Sequence, residues 1–110
     1  MRFGLFLMVA AFVNPAVADQ ATAELYVAEM KRACSEEWGT NYRMVEFCQE
    51  RQFDAMSAVK RILEETDGDA ARTQIIQTCI QEWPEGKGYN WRMAEFCYER
   101  QIESFNRLNQ

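Results

Sequence analysis

The feature that most constrains this chain is a motif written twice. Cys34-Ser35-Glu36-Glu37-Trp38 lies over Cys79-Ile80-Gln81-Glu82-Trp83, and the run Asn41 to Gln52 lies over Asn90 to Gln101, sharing Arg-Met-x-Glu-Phe-Cys-x-Glu-Arg-Gln. The copies differ in length only between these halves, where Gly39-Thr40 is replaced by Pro84-Glu85-Gly86-Lys87-Gly88-Tyr89. A repeat of this kind reads as one supersecondary unit used twice, with the length change confined to a turn.

Each unit reads as a helical hairpin. Tyr26, Met30, Cys34 and Trp38 recur every fourth residue, as do Ala71, Ile75, Cys79 and Trp83, which is one stripe of an amphipathic helix. After each turn, Asn41 and Asn90 stand where N-caps belong. Val45, Cys48, Ala55, Met56, Val59, Ile62 and Leu63 carry the next helix to about Glu65, and Ala94, Cys97, Ile102, Phe105 and Leu108 carry its counterpart to the chain end. Thr66-Asp67-Gly68-Asp69 separates the units, with Gly68 suited to a left-handed C-cap and Asp69 to an N-cap. The expected fold is all-α: two tandem disulfide-stapled hairpins, about 21–65 and 69–109, giving four helices and no strand within one domain of residues 19–110.

The N-terminus carries Met1-Arg2, then an apolar stretch from Phe3 to Val13 that is too short to span a bilayer. Asn14-Pro15 breaks it, and Ala16-Val17-Ala18 offers small residues at both positions a signal peptidase reads. Residues 1–18 are therefore expected to be a cleaved bacterial Sec-type signal peptide, with Asp19 starting a periplasmic or secreted product that has no membrane segment. In that oxidising compartment four cysteines point to two disulfides. Cys34 precedes its turn by about 6 Å of helix and Cys48 follows it by about 10 Å, as do Cys79 and Cys97, so the expected pairs are Cys34–Cys48 and Cys79–Cys97. Each would contribute about 3 kcal/mol by closing its loop. The two cross-repeat pairings are the alternatives four cysteines allow. Zinc is disfavoured, because the spacings are far from Cys-x-x-Cys and the chain has no histidine.

The absence of histidine also removes the commonest general base and catalytic metal ligand, which argues against an enzyme. Glu36-Glu37 and Glu64-Glu65 sit at helix ends with no apolar pocket to shift their proton affinity. The acids around Gly68 do not meet the spacing of a calcium loop. No metal and no cofactor are expected. With residues 1–18 removed the chain loses Arg2 and no acid, leaving 11 basic and 17 acidic residues, a net charge of −6. Nucleic acid is a poor partner for such a chain.

The repeated string is where recognition or bracing would reside. Arg43, Phe47 and Arg51 share one helix edge, as do Arg92, Phe96 and Arg100, which allows guanidinium stacking on the ring and an Arg43–Glu46 pair. Gln52 and Gln101 each follow a cysteine by one turn on the inward stripe, where a buried amide needs partners in the loop or in the facing helix. Trp38 and Trp83 are expected to cap each hairpin by lying over the following helix.

Over residues 34–63, the Cys34 hairpin with Met44-Val45-Glu46-Phe47-Cys48 in its second arm is similar to small exported modules of the lysozyme-inhibitor kind. Trp38 and Arg51-Gln52 stand outside that pattern, so the resemblance carries over no residue roles. The functional expectation is a non-catalytic protein-binding or structural module in the periplasm. A carrier of a small apolar ligand and an inhibitor of a basic enzyme are the alternatives.

Overall fold

The starts of the last three helices follow the sequence cues, whereas the first helix begins at Pro15, ahead of the start expected near residue 21. The computed structural model describes residues 15–110, with side chains from residue 20; residues 1–14 of the expected signal peptide lie outside the described residues. Helix α1 spans Pro15–Trp38 and opens on a proline, whose fixed φ suits the first helical position. The expected cleavage position after Ala18 falls in its first turn. Helix α2 spans Tyr42–Glu65 behind Asn41, whose side chain accepts the Met44 backbone N–H. Helix α3 spans Ala70–Glu82 behind Asp69, which accepts from the Arg72 N–H, and α4 spans Trp91–Leu108 behind Asn90, which accepts from the Met93 N–H. Between α2 and α3 the chain reverses through Gly68 at φ +88. There the buried Thr66 donates its hydroxyl to the Ile62 carbonyl at 2.8 Å and accepts from the Thr73 hydroxyl at 2.8 Å.

Disulfides join the arms within each hairpin: Cys34 to Cys48 links α1 to α2, and Cys79 to Cys97 links α3 to α4, with Cα separations of 5.7 and 5.6 Å. All four cysteines are thereby used. The expectation of no strand fails at the inserted turn, where strands β1 (Pro84–Glu85) and β2 (Gly88–Tyr89) form a two-rung antiparallel ladder. Gly86 leads its two-residue loop at φ +59, the position where a II′ hairpin turn places glycine.

This small hairpin docks on α1 of the other unit. The Lys87 backbone N–H donates to Glu29 Oε2 at 3.1 Å, and the same carboxylate receives the Arg32 Nε–H at 3.1 Å. That bond to the loop backbone holds the Glu29 carboxyl below its ordinary value; burial opposes it and Arg32 adds to it. Gly88 is buried against the Glu29 Cβ and the Tyr26 ring, while a side chain at Gly86 would run into Arg32 and Glu29. Tyr26, Tyr89 and Trp91 then meet edge to face, with ring centroids 5.4 to 5.7 Å apart. Each such pair adds about 0.5–1.5 kcal/mol beyond its buried area.

The core lies where α2, α3 and α4 meet: Ala55, Val59, Ile76, Trp91 and Ala94, flanked by Tyr26, Met56, Ile62, Ile80, Tyr89 and Tyr98. Ala55 and Ala94 are small enough to let α2 and α4 approach closely. On α3 the buried face is rotated from the expected stripe. Ile76 and Cys79 are buried, whereas Ala71 and Trp83 are exposed. Trp83, 39% exposed, serves as the backbone C-cap of α3 and does not act as a packed lid. Leu63 and Leu108 also lie outside the core, at 37% and 85% exposure.

The two copies of the motif therefore occupy different environments. Trp91 is 6% exposed, but its counterpart Tyr42 is 75% exposed, because only the second copy has a turn long enough to fold back onto the first helix.

Candidate functional site

Gln52 is a second polar link between the hairpins, beside the Lys87–Glu29 bond. Its Nε2 donates to Asn90 Oδ1 at 3.0 Å, and its Oε1 accepts from the backbone N–H of Trp91 at 2.9 Å and of Arg92 at 3.4 Å. These are first-turn donors of α4, which have no partner within the helix. One side chain of the first unit thus completes the N-terminus of the last helix in the second. Gln101, its counterpart, is exposed and lies on the α3–α4 face near Ile75 and Phe105. The expectation of an inward amide bonded to the facing structure holds for Gln52 and fails for Gln101, because no element packs beyond Gln101.

Beside the Gln52 link lies a groove of about 470 Å³ between the start of α4 and the first turns of α2. Its walls pair equivalent residues from the two copies: Met44 with Met93 and Phe47 with Phe96. Trp38 closes the α1 end, and Cys48 and Gln52 form part of the lining. Two guanidinium residues, Arg51 and Arg92, stand on the walls, with Glu37 the single carboxylate among the lining residues. Phe47 is 47% exposed and Phe96 is 52% exposed, so the groove is open along one side.

Of the ten candidate recognition or bracing residues, Trp38, Phe47, Arg51, Gln52, Arg92 and Phe96 converge here. Arg43, Trp83, Arg100 and Gln101 do not line the groove. Stacking of guanidinium on ring occurs in both copies, with Arg51 5.5 Å from the Phe47 ring centre and Arg100 5.8 Å from that of Phe96. Arg43 and Glu46 form no ion pair; both side chains are exposed on the first turns of α2.

Two groove-lining residues, Met44 and Met93, and two core residues, Ile76 and Trp91, are not among the positions the sequence singles out. Met44 and Met93 belong to the repeated string and gave a signal, because the same flexible apolar side chain recurs at one offset from both caps. Trp91 gave a weaker one, the Tyr89-x-Trp91 aromatic spacing at the end of the inserted turn. Beside the groove, Arg51 and Arg92 also border a shallow hollow with Asp54, Glu95 and Glu99. Burial pushes the Glu95 carboxyl above its ordinary value, and neighbouring Glu99 adds to this while Arg61 and Arg92 oppose it. Among the described residues no helix is long and apolar enough to cross a membrane, and no group of three or more metal-binding side chains is present. No family model matches the chain, and neither a curated protein sequence nor a solved structure matches it.

Proposed function

We propose that this protein is a non-catalytic, exported protein-binding module whose binding site is the groove between its two hairpins. The observation that carries the reading is the convergence of Met44 with Met93 and Phe47 with Phe96 on the two walls of one open groove, held in place by Gln52 and the docked β1–β2 turn. Half-exposed aromatic rings beside methionines make an adaptable apolar surface of the kind that accepts a protein segment. The groove volume also falls in the range of small-molecule sites, but those enclose most of their ligand, and this groove is open along Phe47 and Phe96. A protein segment brings its own cover. The lining includes no histidine, serine, threonine or free cysteine, which supports recognition over chemistry.

Export to the periplasm or medium is part of the proposal. It is supported by the signal-like residues 1–18 and by two intramolecular disulfides, which persist in oxidising compartments. The intact mass of the exported product is expected to begin at Asp19 and to lack four hydrogens relative to the reduced chain. The binding site is tested by site-specific photo-crosslinking in the native host. A benzophenone side chain at Phe96 or Met44 is expected to trap a second protein, and one at Tyr42 or Leu108, which are exposed outside the groove, is expected to trap none. Equal trapping at all four positions, or trapping at Leu108 alone, refutes the groove as the site.

A further inference from the structure

We infer that the groove takes an amphipathic protein segment whose apolar anchors are accompanied by carboxylates, met by Arg51 and Arg92. This rests on the groove being the binding site and adds the chemistry of what enters it. The argument begins with how the arginines are used. Arg32, Arg61, Arg72 and Arg107 each pair with a carboxylate three or four residues away on or at the start of their own helix. The four arginines of the repeated string, Arg43, Arg51, Arg92 and Arg100, make no ion pair among the described residues, although the chain holds 17 acids against 12 bases.

Two of these unpaired guanidiniums, one from each copy, border the same apolar groove. Arg51 lies with its guanidinium carbon 5.5 Å from the Phe47 ring centre at the groove wall, and it makes no hydrogen bond or ion pair among the described residues, so its N–H fork is available to a carboxylate. Arg92 lies in the first turn of α4, so a carboxylate approaching it also approaches the positive end of that helix. An anionic side chain entering here would gain two charge-assisted donors and would meet Glu37 as the one opposing charge among the lining residues. A lysine-bearing segment would instead face both guanidiniums, and it would find its complement in Glu37 and in the neighbouring hollow of Asp54, Glu95 and Glu99.

The test uses the disulfide-bonded protein and fluorescein-labelled helical peptides of about four turns with leucine at i, i+3, i+4 and i+7, differing only in whether the flanking polar positions are Glu, Gln or Lys. Binding is read by anisotropy at low and high salt. The Glu peptide is expected to bind about 10-fold more tightly than the Gln peptide at low salt, with the advantage shrinking at high salt. Arg92→Gln and Arg51→Gln should each remove most of that advantage without weakening the Gln peptide, whereas Phe96→Ala should weaken both peptides. Circular dichroism spectra matching the parent protein establish that the variants are folded. If Glu and Gln peptides bind equally and Phe96→Ala weakens both, the groove stands as the site and the carboxylate inference is overturned. Tightest binding by the Lys peptide also overturns it and identifies the acidic hollow as the charged surface. Failure of every peptide to bind overturns the inference together with the groove reading.

Discussion

Replacing Gln52 with alanine removes three hydrogen bonds that join the hairpins: the donor to Asn90 Oδ1 and the acceptor of the Trp91 and Arg92 N–H groups. Asn90 Oδ1 keeps the Met93 N–H, so its loss is partial. The Trp91 N–H has little recourse, because Trp91 is 6% exposed and its backbone donor is in the first turn of α4. An unsatisfied buried donor is destabilising by about 1–3 kcal/mol and a neutral hydrogen bond contributes about 1 kcal/mol, so Gln52→Ala should lose roughly 2–3 kcal/mol. For a domain of this size that lowers Tm by about 10–20 °C. The matched control is Gln101→Ala, the same residue of the other copy, which is exposed and should change stability by less than about 0.5 kcal/mol. Gln52→Glu keeps an acceptor for the two N–H groups and places negative charge at a helix N-terminus, so it should recover about half the loss at neutral pH. Thermal and urea unfolding followed by circular dichroism, with disulfides intact, gives all three values. A Gln52→Ala protein within about 0.5 kcal/mol of the parent, or equal losses at Gln52 and Gln101, refutes the view that Gln52 links the hairpins.

Other substitutions probe the same junction. Trp91→Ala should cost about 3–5 kcal/mol, whereas Trp83→Ala, at a 39% exposed ring, should cost less than about 1 kcal/mol in the same unfolding assay. Gly86→Ala forces a Cβ into Arg32 and Glu29 at a φ that L residues rarely adopt, and should speed amide exchange across residues 84–89 while leaving the α3–α4 disulfide intact. Because the folded protein holds the Glu29 carboxyl below its ordinary value of 4.5, its contribution is complete above that pH and is lost as pH falls through the lower folded value; Glu29→Gln should remove that part of the acid sensitivity. Glu95 has the opposite sign. Its folded value is raised, so ionisation opposes folding as pH rises through it, and Glu95→Gln should raise Tm at neutral pH more than at acid pH.

Much of the architecture was legible because it depends on local signals. Asn41, Asp69 and Asn90 cap the helices they were expected to cap, and equal offsets from the turns were enough to pair Cys34 with Cys48 and Cys79 with Cys97. The site was only half legible for the same reason. A repeat invites equal roles for equal residues, but burial depends on what packs from outside the repeat. Tyr89 and Gly88, in an insertion that looked like spare loop, dock on Tyr26 and Glu29 and thereby bury Trp91 while leaving Tyr42 in solvent. The same asymmetry gives Gln52 a helix N-terminus to complete and leaves Gln101 none. Period-four spacing placed Cys79 correctly on the buried face of α3 but put Ile75 where Ile76 packs. Ile75 and Ile76 are adjacent, and only the packing of α2 and α4 selects Ile76.

The methionines offer the most direct test of the groove. Residues 19–110 contain four, Met30, Met44, Met56 and Met93. Met44 and Met93 line the groove, while Met30 is buried at 4% exposure and Met56 packs against the core. Methyl-labelled methionine gives one resonance for each, so a titration with the acidic amphipathic peptide reads site and control in one spectrum. The account predicts that the Met44 and Met93 methyl signals move together along one binding curve while those of Met30 and Met56 stay in place. Shifts confined to Met30 and Met56, or movement of Met44 without Met93, would contradict a site built from both hairpins.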